Sequence, residues 1–171
     1  MKKVLIAGIG NIFHGDDGFG CKVARELQSR DLPAGVIVRD FGIRSHDLAY
    51  ALTDGCDVTI LVDATSQDGI PGTLYLIEPD FSAEKMSETP PDAHSMNPAT
   101  VLQLAQSLGT VSGRLFLVGC EPKILENDDG ELGMSETVQA AIPAAIEMIE
   151  SLVTDILSEK LEHEVAVLTP A

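Results

Sequence analysis

Five short, mostly apolar runs, at 4–7, 36–38, 58–62, 72–77 and 115–118, are separated by segments whose apolar residues recur at helical spacing. A strand with no polar face must be covered on both sides, and strands alternating with helices are joined by crossovers that make them parallel. The helical stripes are Phe19, Val23, Ala24 and Leu27; Leu48, Ala49 and Leu52; Val101, Leu102, Ala105 and Leu108; and Val138, Ile142, Ile146, Ile149, Val153 and Ile156. Asp16 or Asp17 is expected to cap the first helix, Ser45 the second, Asn97 (before Pro98) the third and Ser135 the last, which Pro143 is expected to bend. The expected fold is a three-layer α/β/α domain around a mostly parallel five-stranded sheet. The run at 72–77 is expected as an antiparallel edge strand, because Gly69-Ile70-Pro71-Gly72 is too short for a helical crossover.

The 171 residues suit one domain, expected over 1–157 and followed by an acidic, flexible tail over 158–171. The formal net charge is −16, and residues 121–171 hold 12 acids against two bases. Such a chain repels phosphate backbones and anionic membrane surfaces, so nucleic acid and membrane are not expected partners. The N-terminus MKKVLIAGIGNIF starts like a signal peptide but reaches Gly8, Gly10 and Asn11 too soon, and no apolar run is long enough to span a bilayer. Cys21, Cys56 and Cys120 are isolated, which argues for small buried thiols rather than disulfides or a metal motif. A cytoplasmic monomer is the expectation.

In a parallel sheet, ligands bind beyond the carboxyl ends of the strands. The first strand leads to Asn11 and Asp16-Asp17, the second to Asp40 and the third straight into Asp63. Carboxylates converging on one crevice repel one another unless a cation, a proton or a donor is present, so their placement points to a site. His94 ends a long irregular stretch over 78–96 that holds three prolines. Two carboxylates and an imidazole with an open position make an N/O site suited to zinc or nickel. Gly8-Ile9-Gly10 does not continue as a dinucleotide fingerprint, because Phe13 stands where the third glycine belongs.

Gly8-Ile9-Gly10-Asn11 followed by Gly15-Asp16-Asp17-Gly18-Phe19-Gly20 resembles the signature of the [NiFe]-hydrogenase maturation endopeptidases. Val62-Asp63-Ala64, Pro71-Gly72, His94-Ser95, Gly119-Cys120-Glu121-Pro122 and Gly133-Met134-Ser135 agree with that family in order and spacing, over roughly residues 1–157. The resemblance implies an α/β peptidase domain of aspartic type that removes the C-terminal extension of a hydrogenase large-subunit precursor once nickel is inserted. It implies Asp17, Asp63 and His94 as metal ligands, and Asp17, Asp63 and Asp40 as the catalytic acids. The nickel would be supplied by the precursor, with zinc or cadmium as surrogates. Asp40 is expected as a free carboxylate able to orient a water. Ile12-Phe13 and Met134 depart from the leucines commoner in the family, which bears on substrate preference. A non-enzymatic nickel carrier or hydrogenase assembly chaperone would also use an N/O site, and a self-sufficient zinc hydrolase is a further alternative.

Overall fold

The computed structural model describes residues 1–79, 98–124, 133–160 and 166–170. Two strands set the frame: β1 (Val4–Ile9) is buried at every position, and β3 (Val58–Ala64) at every position but its last. They pair in parallel, Val4 opposite Val58 and Gly8 opposite Val62. β2 (Val36–Gly42) flanks β1, and β5 (Arg114–Cys120) flanks β3, both in parallel. β4 (Leu74–Ile77) lies antiparallel against β5, and β6 (Ala166–Leu168) antiparallel against β4, giving the order β2-β1-β3-β5-β4-β6.

Even and odd positions of the central strands feed two separate cores. Val4, Ile6, Ile60, Val62 and Val118 pack under Phe19, Val23 and Leu27 of α1 (Phe19–Gln28) and under the stripe of α4 (Glu136–Leu157). Leu5, Ala7, Leu61 and Leu117 pack under α2 (Ser45–Thr53) and α3 (Pro98–Leu108). The result is the expected three-layer α/β/α arrangement. The chain steps from β1 out to β2 with α1 on one face, then back across β1 to β3 with α2 on the other. Both steps are what right-handed crossovers require, and they put the reversal of strand order at β1, where α/β sheets bind ligands.

Several details differ from expectation. The sheet has six strands rather than five, and β4 is antiparallel but not at the edge. Residues 166–168, expected within a free tail, pair with the open backbone groups of β4, which would otherwise remain an unprotected edge. Ser45 is the first residue of α2 rather than its cap, and Arg44 precedes it without a side-chain capping bond. Ser135 does cap α4, accepting from the Val138 N–H at 3.4 Å. α4 runs on through Pro143, which lies on its exposed side. Asn97 lies outside the described residues.

Candidate active site

The turn after β1 is shaped by glycine. Gly10 has φ +125°, and a side chain there would stand 1.9 Å from the Asp17 carbonyl oxygen, so only glycine lets the chain double back so closely. A short 3₁₀ turn, Gly15–Gly18, follows and leads into α1 through Gly18, with no side-chain cap. Neither Asp16 nor Asp17 caps α1. Gly20, in the first turn of α1, would place a Cβ 2.0 Å from the Val62 carbonyl oxygen, so α1 is seated directly on the end of β3. The glycine pattern therefore serves helix–strand approach, and it brings the 3₁₀ turn to Asp63.

The two acids of the 3₁₀ turn point to different tasks. Asp16 is fully buried; its Oδ2 accepts from the N–H groups of Lys123 and Ile124, each at 2.8 Å, and from Ser135 Oγ at 3.0 Å. Its Oδ1 accepts from Ser135 N–H at 2.7 Å. Asp16 thus ties together the 3₁₀ turn, the loop after β5 and the start of α4. Asp17 is half-buried and accepts from the Asn11 N–H through Oδ2 at 2.6 Å.

Asp63 is 6% exposed at the end of β3. Burial, and then the negative charge of Asp17, push its carboxyl well above the usual carboxylate range, opposed only by the Ala64 N–H. The charge of Asp17 therefore reaches Asp63, whose carboxyl is biased toward holding a proton. A cation placed between them would relieve both burial and repulsion. Among the described residues no group of three His, Cys, Asp or Glu is arranged to hold a metal. The expected third ligand, His94, lies outside the described residues.

Asp40 differs from expectation. It is not a free carboxylate: Arg25 Nε donates to Oδ2 at 2.7 Å and the Gly42 N–H donates to Oδ1 at 3.0 Å. An acid held on both oxygens is poorly placed to take a proton from water. The ion pair lies in a groove of about 310 Å³ between the loops after β1 and β2, beside Gly10 and Asn11. Cys21 lines the same groove, but burial, with Asp40 nearby, pushes its thiol up to about 12, and it donates to the Gly10 carbonyl at 3.3 Å. Cys120 is likewise pushed up to about 12 by burial and by Asp16 and Glu121. Neither thiol offers a thiolate nucleophile near neutral pH. Cys21 and Cys120 are the buried thiols expected; Cys56 is only half-buried.

Glu121, at the end of β5, had no expected role. It is 4% exposed and its Oε2 accepts from Tyr75 Oη and the Gln67 N–H, both at 2.8 Å, while Oε1 accepts from Ser66 Oγ at 3.2 Å. Burial alone would raise its pKa, but the donors of Gln67, Tyr75, Gly69 and Ser66 prevail and hold it below the usual range. Tyr75 is pushed up to about 12 by burial and by this carboxylate. Glu121 thereby fixes the loop that follows Asp63. The signal was legible: like Asp63, Glu121 ends an apolar run.

Comparison with known proteins agrees with this scaffold. The chain matches the family model described as hydrogenase maturation protease over residues 21–152. A protein of Methanocaldococcus jannaschii, provisionally named a hydrogenase maturation protease, is 35% identical over 149 residues, which cover 86% of this chain and 94% of the relative. A solved hydrogenase 2 maturation peptidase from a Thaumarchaeota archaeon superposes with a TM-score of 0.66 at 34% identity, covering 90% of this chain and 99% of the other. The hydrogenase maturating endopeptidase HybD from E. coli shares the fold, with a TM-score of 0.72 at 24% identity over 97% of this chain and 96% of that one. With the matched stretch running from α1 into α4, the chain belongs to the hydrogenase maturation protease family.

Proposed function

We propose that this chain is the endopeptidase that removes the C-terminal extension of a [NiFe]-hydrogenase large-subunit precursor after nickel insertion, acting in the cytoplasm as a monomer. The observation that carries the reading is the buried Asp63 beside Asp17 at the reversal point of the sheet. An acid forced against another acid in a dry place is unfavourable for the protein alone, and is compensated by a cation that arrives with the substrate. Asp17, Asp63 and His94 would complete the coordination of nickel already held by the precursor. An unloaded precursor would then be bound poorly, which makes processing report on nickel insertion.

Hydrolysis requires a water oxygen to attack the scissile carbonyl carbon, the C–N bond to break, and a proton to reach the leaving amine. The nickel supplies Lewis-acid polarisation of the carbonyl or of that water. On the protein side, Asp63, biased toward its protonated form by burial and by Asp17, would release that proton on taking up the cation. A carboxylate oxygen of the pair not bound to the ion would hold the proton of the attacking water and pass it to the leaving amine; this is the sense in which the site is of aspartic type. Asp40, held by Arg25 and the Gly42 N–H, shapes the rim of the site rather than serving as the base. Zinc or cadmium would occupy the carboxylate pair as surrogates.

Mass spectrometry of a candidate precursor, with and without nickel, after incubation with this protein tests the reading. Loss of a short C-terminal peptide only from the nickel-loaded sample is expected. Stoichiometric nickel binding with no shortening of the precursor would instead establish a carrier or assembly chaperone.

A further inference from the structure

Three large apolar side chains stand exposed at the carboxyl edge of the sheet: Ile12 (45%) and Phe13 (71%) after β1, and Ile43 (62%) after β2. Exposed apolar residues are unremarkable singly, but all three line the same groove of about 310 Å³. Hydrogen bonds tie this groove to the carboxylate pair. The Asn11 N–H donates to Asp17 at 2.6 Å, the Phe13 N–H donates to Asn11 Oδ1 at 3.0 Å, and the Gly10 N–H donates to the Gly42 carbonyl at 3.0 Å. The loop that holds Asp17 thus also presents Ile12 and Phe13, while Ile43 closes the opposite wall. The groove is therefore continuous through Asn11 with the loop that carries Asp17, which places it next to any peptide bond brought to that carboxylate.

Charge narrows the occupant. The chain as a whole carries 27 acids against 11 bases, yet the charged groups lining this groove are Arg25, Arg44 and Asp40. Asp40 is already neutralised by Arg25 at 2.7 Å. Arg44 in turn has the Asp47 carboxylate at 3.7 Å. Each charge lining the groove thus has an opposite partner, so the groove complements an uncharged, apolar segment better than a basic or an acidic one.

We infer that this groove binds an apolar stretch of the precursor's C-terminal extension beside the bond to be cut, with Phe13 and Ile43 as specificity-determining side chains. The assignment rests on the processing reading and names which part of the substrate is read. Docking excludes water from the edge of the carboxylate pair, so recognition of the extension and of the ion takes place on contiguous surfaces.

Steady-state cleavage of the nickel-loaded precursor by wild type, Phe13→Ser, Ile43→Ser and the double variant tests this, with thermal melting to confirm that the exposed substitutions leave the fold unchanged. In the double variant KM rises at least about tenfold while kcat stays within about twofold, and the ratio of KM values holds between low and high salt. A synthetic peptide of the extension competes with the precursor for wild type and not for the double variant. Leu108→Ser, which removes a comparably exposed side chain (42%) at the end of α3, changes neither constant. An unchanged KM, a loss confined to kcat, or a KM difference that vanishes in high salt overturns the groove assignment and leaves processing standing. Failure of wild type to cleave any loaded precursor overturns the processing reading, and this inference with it.

Discussion

Asp63 and Asp16 are buried acids at the same edge of one sheet, at 6% and 0% exposure, but their surroundings are opposite. Asp16 receives the N–H groups of Lys123, Ile124 and Ser135 and the Ser135 hydroxyl. Asp63 is opposed by the charge of Asp17, with the Ala64 N–H in its favour. Glu121 sides with Asp16, its burial overcome by donors from the loop it anchors. Burial of a carboxylate is therefore not by itself a sign of chemistry. A buried acid supplied with donors is a structural tie; one set against a like charge is held ready for a cation or a proton.

The contrast can be broken at each member. The largest change is expected for Asp16→Ala, which leaves three backbone N–H groups and a hydroxyl without an acceptor. Stability falls by about 3–4 kcal/mol, read by denaturant unfolding. Asp63→Asn should reverse the pattern: processing of loaded precursor drops at least about 100-fold in kcat/KM, while the free protein melts no lower than wild type, because a buried like-charge conflict is removed. A comparable loss of stability in Asp63→Asn would remove the distinction between the two acids. Glu121→Gln should lose about 1–2 kcal/mol near neutral pH, since one good acceptor is exchanged for an amide among the same donors. Ser135→Ala, which keeps its N–H bond to Asp16 but gives up the hydroxyl and the cap, should lose about 1 kcal/mol.

The two kinds of acid also predict opposite pH behaviour. Glu121 has a folded pKa below its unfolded value, so its contribution is present above the unfolded value, near 4.5, and fades as pH falls through the folded one. Asp63 has a folded pKa above its unfolded value, near 3.8, so the folded protein binds the extra proton and stability falls as pH rises between the two values. Measured by denaturant unfolding, the difference between wild type and Glu121→Gln should shrink in acid. The advantage of Asp63→Asn over wild type should instead grow on leaving acid for neutral pH.

Much of the scaffold was legible because it depends on periodicity. The apolar runs became β1 to β5, and the stripe from Val138 to Ile156 became the buried face of α4, since a strand or helix must hide whatever apolar surface it carries. Asp63 was legible as an acid ending an apolar run. Asp16 was misread as a cap because its partners lie 107 to 119 residues away, where no local pattern reaches. Asp40 was misread as free because Arg25 meets it from α1, on the other side of a strand–helix turn. The short β6 was missed because three residues carry too little pattern to announce a strand that forms only where β4 offers an open edge.

The sequence by itself determined the layers, the parallel core and the set of acids delivered to one edge, because hydrophobic period and turn chemistry are local. Only the tertiary structure decided which of those acids is tied down and which is left in conflict. That depends on how many donors each carboxylate meets, and for Asp16, Asp40 and Glu121 those donors come from segments distant along the chain.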